Sequence, residues 1–381
     1  MSTHPKVFRN ARLVLADEVR DGSLSVDTDG LIAAVDTPTG ADGHDCEGDF
    51  LLPGLVELHT DHLETHYAPR PKVRWNPVAS VQAHDAQIAC AGITTVFDAL
   101  RVGMDEDADL RCDDMRALAE AIETGKQEDR LRADHFIHLR CEVSAPDVID
   151  AFRMFQEDRN VRLVSLMDHT PGQRQFVSLD AYKVYYQGKK GFSDEQMAAF
   201  IRKRQELADG LAPGNRKTLS AAARKNGIAI ASHDDATIDH VAEAIDLKTR
   251  IAEFPTTIEA AKASHDADMA VLMGAPNVVR GGSHSGNVSA RELAEAGYLD
   301  VLSSDYIPAS LVQAAFQLAG EVEAITLPEA VAMVTATPAS AIGLHDRGTL
   351  TPGLRADLVQ VKLVGNVPIV RGVWREGKRV A

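Results

Sequence analysis

The sequence predicts an α/β protein, a (β/α)8 TIM barrel with a small β-sandwich domain formed by both termini. Three observations lead there. Eight short apolar runs alternate with amphipathic stretches through the middle of the chain, the pattern of repeated βα units. Short strands split by Asp-Gly turns occupy both ends, and neither end is long enough to build a core alone. Residue types that bind metals recur where the middle runs finish.

The beginning of the chain reads as the strands ARLVLADEV, GSLSVDTDG and GLIAAVD. Its end reads as RGTLTPGLRADLVQVKLV followed by VPIVRGVWREGKRV. The economical division is a composite small β domain, 1–50 with 347–381, and a (β/α)8 barrel over 51–346. The barrel strands fall at 55–59, 93–99, 135–143, 161–167, 228–232, 251–254, 269–273 and 299–304. Eight is the number that a closed parallel barrel requires. Asn76-Pro77 caps a helix that Gly92 ends, Ser193-Asp194-Glu195 opens another, and Thr337-Pro338 a third. The polar, aromatic and basic stretch 170–192 is too long for a minimal βα loop, and loops of that size usually carry function.

Composition removes several function classes. The 381 residues are 45% hydrophobic and 25% charged, an ordinary globular profile. A net charge of −16 argues against a nucleic-acid surface. No apolar run approaches the ~20 residues of a membrane helix, and the N-terminus carries no apolar signal core. Cys46, Cys90, Cys112 and Cys141 lack CxxC spacing and read as reduced thiols, which fits a cytoplasmic protein.

The chemistry starts at His59-Thr60-Asp61, at the end of the first barrel run. Residues i and i+2 of a strand point to one side, so this His and Asp can share a cation. Repetition strengthens the reading: Glu142, Asp168-His169, His233-Asp234-Asp235 and Asp305 all follow later runs, at the face where barrel active sites form. Two cations about 3.5–4 Å apart need a bridging anion and activate water as the nucleophile. Glu142 is the candidate bridge; its plainer reading is an ion pair with Arg140. Asp305 is a candidate ligand that also accepts the proton of the attacking water. His59, Asp61, His169 and His233 complete the ligand set. Zinc is the first candidate, with manganese and iron as alternatives, at two metals per chain. Asp234 and Asp235 are assigned to helix capping or outer support. His62 and His66 are placed beside the substrate or behind the ligands, and His84, inside a helix, is structural.

PGLVELHTDHLETH, its following capped helix and the closing GTLTPGLRADLV resemble the amidohydrolase superfamily. ELHTDHLE, SLMDHTPGQRQF, ASHDD, GGSHSGN and LSSDY resemble one branch of it, in order and over essentially the whole chain. The superfamily commonly has His-x-His on its first strand, where Asp61 stands here, and often bridges its metals with a carboxylated lysine. No lysine sits at a strand end, so Glu142 takes that place, with Lys183 an outside candidate. The resemblance implies hydrolysis of the 5-triphosphate of a phosphonylated ribose, with pyrophosphate released. A small anionic phosphorylated sugar needs donors, and the chain offers Arg174, Lys189, Lys190 and the run Arg280, Gly281, Gly282, Ser283, His284, whose backbone amides can form an anion nest. Arg70, Lys72 and Arg74 read as a solvated face. The implied partners are that substrate and a second copy of the chain, with no nucleic acid and no membrane. A C–N hydrolase with the same centre is the alternative, and a barrel scaffold without catalysis is a third reading. The basic rim separates the first two, since an uncharged amide has no use for it.

Overall fold

The fold comes from a computed structural model that describes residues 6–36, 43–103, 109–172, 174, 192–283 and 286–381. Five strands open the chain: β1 (Lys6–Val14), β2 (Val19–Val26), β3 (Ile32–Val35), β4 (His44–Asp45) and β5 (Phe50–Pro53). Eight follow through the middle: β6 (Leu55–Thr60), β7 (Ile93–Val102), β8 (Asp134–Glu142), β9 (Val161–Met167), β10 (Ala229–His233), β11 (Ile251–Glu253), β12 (Ala270–Gly274) and β13 (Val301–Ser303). Three close it: β14 (Leu358–Val364), β15 (Val367–Arg375) and β16 (Lys378–Arg379).

The middle eight form one sheet in sequence order from β6 to β13, and Thr60 bridges Asp305 in parallel to bring the last strand to the first. This is the near-closed parallel barrel that the alternating runs predict. Each expected run contains a strand, with ends shifted by two residues at most except at β7, whose end runs three residues further. The remaining strands form a separate sheet in the order β16-β15-β14-β5-β1-β2-β3, with β4 beside β1. Strand β5 joins its halves, parallel to β1 through Leu13 and Leu51 and antiparallel to β14 through Leu51 and Gln360. Phe8, Leu13, Leu24, Ile32, Leu51, Leu358 and Trp374 bury its apolar face. A hydrogen bond from Lys6 Nζ to the Gly377 carbonyl (2.6 Å) ties the start of β1 to the turn before β16.

The chain folds as two compact units. One comprises 1–98, 121–136 and 273–381; the other 99–120 and 137–272. In the second, β10 pairs in parallel with both β9 and β11, Ala231 lying opposite Ser165 and Ile251.

Local signals account for the helices. Helix α1 (Leu63–Tyr67) follows the first barrel strand, and α2 (Pro77–Cys90) begins as expected, the Asn76 side chain accepting from the Ala79 amide (3.0 Å) with proline at the first position. The helix Asp194–Lys225 starts with a capping box between Ser193 and Gln196. The helix expected at Thr337-Pro338 instead spans Ala336–Ala341. Thr335 stands at its head, but its hydroxyl donates back to the Val331 carbonyl (2.7 Å), so no side-chain cap marks the true start. All four cysteines are free thiols. No helix among the described residues is long and apolar enough to cross a membrane.

The Pro-Gly step before the first barrel strand has a steric cause. A Cβ on Gly54 would stand 2.2 Å from Thr94 Oγ1 and 2.9 Å from Asp357 Cβ. Gly54→Ala is therefore expected to cost about 2 kcal/mol of stability, in the range of overpacked cores. Denaturant unfolding checks this, and an unchanged midpoint would show that Thr94 turns away freely.

Candidate metal centre

The unit that holds β6 and β13 brings His59, Asp61 and Asp305 together, with one donor atom from each within 4.8 Å of the others. Backbone pairing sets this up. The Asp305 amide donates to the His59 carbonyl (3.1 Å), and the Asp61 amide donates to the Asp305 carbonyl (3.2 Å). Beneath them Glu57 is fully buried and accepts the amides of His59 (2.6 Å) and Ser304 (2.5 Å). Burial pushes its carboxyl up to about 7 against those bonds. Glu57 thus ties both strand ends carrying the donors.

The other unit gathers His169, His233 and Asp234, again with donor atoms within 4.8 Å. Outer carboxylates set both imidazoles. Glu142 Oε2 lies 2.7 Å from His169 Nδ1, and Glu142 Oε1 accepts the His169 amide (3.1 Å) and the Ser144 hydroxyl (2.8 Å). Glu253 Oε2 lies 3.1 Å from His233 Nδ1. Each ring consequently turns Nε2 toward Asp234 Oδ2, at 4.0 Å from His169 and 3.5 Å from His233. Buried Asp234 Oδ2 has no hydrogen-bond partner. An imidazole held at Nδ1 by a carboxylate, with Nε2 presented, is the usual form of a metal-binding histidine.

The electrostatics agree with a cation site. Burial drives the His233 imidazole down to about 4, so it is neutral, and drives the Asp234 carboxyl up to about 6. A bound cation would relieve that cost for Asp234. Burial also raises the Glu142 carboxyl, but the His169, Arg101 and Arg204 charges outweigh it and hold the group well below the usual carboxylate range. The backbone is bent at the same places. Asp234, Phe254 and Asp305 take left-handed φ of 56°, 53° and 53°, each within two residues of a strand end. Such positions cost roughly 1–3 kcal/mol and concentrate at functional sites.

Several expectations need correction. Asp234 and Asp235 do not cap the next helix; Thr237 does, accepting from His240. Asp235 pairs with the guanidinium of Arg174, whose other nitrogen reaches Glu243 at 3.0 Å. Arg174 is buried, and it lines a cavity of about 450 Å³ with Arg216, Gln205 and His240. The nest expected at Gly281 and Gly282 does not form: their amides donate to the Val278 and Asn277 carbonyls and close the helix Ala275–Arg280. Gly281, at φ 79°, is a helix C-cap. Exposed Arg280 ends that helix, with Ser283 close behind. Lys189, Lys190 and His284, and with them Lys183, lie outside the described residues.

Sequence reasoning missed Glu253, His138 and Glu57. Glu253 ends β11 as the singled-out residues end their strands, so the same positional rule applied one run later would have found it. His138 shares even spacing with Glu142 on β8; its Nε2 meets Ser165 Oγ (2.7 Å) and lies 3.7 Å from Glu253 Oε1.

Comparison with known proteins gives the family. The amidohydrolase family description matches residues 86–381. The alpha-D-ribose 1-methylphosphonate 5-triphosphate diphosphatase of Escherichia coli (strain K12) is 47% identical over 98% of this chain and 100% of its own. An imidazolonepropionase of Deinococcus radiodurans is 24% identical over 84% of this chain and 80% of its own. Among solved structures, the N-acetylglucosamine-6-phosphate deacetylase from Pasteurella multocida superposes with a TM-score of 0.66 at 14% identity, covering 99% of each chain, a likeness of fold.

Proposed function

The chain belongs to the amidohydrolase family, and from that premise we propose that it hydrolyses alpha-D-ribose 1-methylphosphonate 5-triphosphate. Water adds to a phosphorus of the triphosphate, the phosphoanhydride breaks, pyrophosphate leaves and the 5-phosphate remains. The observation that carries this reading is the 47% identity, across both whole chains, to a diphosphatase for that compound. The enzyme is on this reading a hydrolase acting on acid anhydrides.

The residues fit divalent metals, zinc first among them and two per chain. His59, Asp61 and Asp305 would hold one; His169 Nε2, His233 Nε2 and Asp234 would hold the other. A divalent cation there supplies Lewis-acid neutralisation of phosphoryl oxygen and acidifies water toward neutral pH. Asp305 accepts the proton as water attacks. Glu142 and Glu253 keep the two imidazoles oriented. Arg280 receives part of the polyphosphate charge, with Ser283 beside it. The remainder of the reading is a cytoplasmic homo-oligomer, with the barrel over 51–346 as the catalytic body and the terminal sheet as a composite second domain.

The decisive experiment measures metal content together with pyrophosphate release from the ribose 5-triphosphate bearing a 1-phosphonate. Bound metal with pyrophosphate release is expected. Bound metal without release would redirect the assignment to C–N bond hydrolysis. Arg280→Ala is expected to raise KM for the triphosphate about tenfold, a loss of ~1.4 kcal/mol, with kcat retained. An equal effect on a short neutral substrate would remove Arg280 from phosphate binding.

A further inference from the structure

His62, His66 and His84 form a third cluster, apart from the two donor groups above. His62 heads α1 and His66 lies one turn on, so both imidazoles occupy one face of that helix. His84 reaches them from α2. The ring centroids are 5.0 Å apart for His62 and His66, 6.0 Å for His62 and His84, and 5.8 Å for His66 and His84. One nitrogen from each ring lies within 4.8 Å of the other two.

The nitrogens have nothing to bond to. His62 Nδ1, His66 Nε2 and His84 Nδ1 are all buried without a hydrogen-bond partner. One orphaned imidazole nitrogen is a minor cost, but three in one cluster of rings are not resolved by protonating every ring, since the charges would repel. A shared electron-pair acceptor satisfies all three at once.

The back of the cluster is built for this. His84 is fully buried, and its Nε2 lies 2.8 Å from Asp98 Oδ1. Asp98 Oδ2 in turn lies 2.7 Å from His135 Nδ1, and His135 Nε2 lies 3.3 Å from Asp85. Asp85 is itself anchored by the amides of Arg132 (2.8 Å) and Ala133 (2.9 Å). With Nε2–H donated to Asp98, His84 carries its lone pair on Nδ1, the buried atom left without a hydrogen-bond partner. A carboxylate behind a histidine fixes tautomer and orientation and raises ligand basicity.

We propose that His62 Nδ1, His66 Nε2 and His84 Nδ1 form a separate binding site for a zinc-class transition-metal ion. Three neutral imidazoles suit zinc, copper, nickel or cobalt and do not suit magnesium or calcium, which take oxygen ligands. Three protein ligands leave one position of a tetrahedral zinc to a small exchangeable group. The ion would cross-link α1 to α2 and fix the segment that leaves the first barrel strand just after Asp61. The inference does not depend on the reaction assigned above.

The test compares zinc per chain, after equilibration in buffered free zinc, between the full-length protein and His66→Ala. His66 is half-buried, so its truncation leaves the core in place. About one zinc ion fewer per chain is expected in the variant, with a smaller rise of Tm on zinc addition. Equal zinc in both would overturn the proposal and leave water as the group that satisfies these nitrogens. The second arm is X-ray absorption at the zinc edge of a His59→Ala/His169→Ala protein, in which the other two donor groups are broken. A first shell dominated by imidazole nitrogen is expected; a carboxylate-dominated shell, or no zinc at all in a folded variant, would equally overturn it.

Discussion

Asp305→Asn is expected to lower kcat for pyrophosphate release about 10³-fold while the protein stays folded, the middle of the range for removal of a general base. The substitution leaves the backbone bonds around Asp305 in place. Its amide and carbonyl hold His59 and Asp61, and neither bond uses the side chain. Asparagine also accepts the left-handed φ of 53° with little added strain, where alanine would not. Melting temperature and metal content measured beside turnover separate the roles. Retained metal with lost turnover assigns Asp305 to proton transfer, lost metal makes it mainly a ligand, and near-normal turnover would end both assignments.

The second large effect is expected at Glu142. The sequence places it between two metals as the bridge; the geometry has it gripping His169 from behind, with one oxygen on Nδ1 and the other on the amide. Glu142→Gln should then weaken metal binding by about 10–100-fold, the usual loss when the partner of a metal-binding histidine is changed. Excess metal should restore most of the turnover. Failure to restore turnover at saturating metal would return Glu142 to the bridge. Acid stability gives an independent reading. The Glu142 carboxyl is held low in the folded state, so its contribution is full above the ordinary value near ~4.3 and is lost as pH falls below it. The glutamine variant should lack that component, and its unfolding midpoint should vary less with pH on the acid side.

Much of this was legible in the sequence because barrel chemistry obeys a positional rule. Strand ends collect at one face, so His59, Asp61, His169, His233 and Asp305 could be chosen without knowing a contact. The barrel strands were legible for a similar reason, eight apolar runs having a period and punctuation of their own. What escaped depends on side chains meeting across long separations. His84 looks like a helix histidine until Asp98, His135 and the α1 histidines surround it. Gly281 and Gly282 look like an anion nest until the short helix before them takes their amides. Arg174 has no visible partner in the sequence, and packing gives it Asp235 and Glu243. In each case composition signals a polar group, but which neighbour satisfies it is a property of the packed chain.

Strand β5 has a consequence for how the protein is made. Its two neighbours are β1, already synthesised, and β14, about three hundred residues downstream. At translation rates of about 5–20 residues per second, the edge that β14 will cover stays open for roughly 15 to 60 s. Leu51 and Leu52, fully buried in the finished sheet, sit in that waiting strand. The nascent chain therefore carries an adhesive apolar edge through most of its synthesis, which makes it a natural client for chaperones. A circular permutant that places β14 to β16 ahead of β1 would supply the missing partner first, and should yield more folded protein in cells where chaperones are limiting.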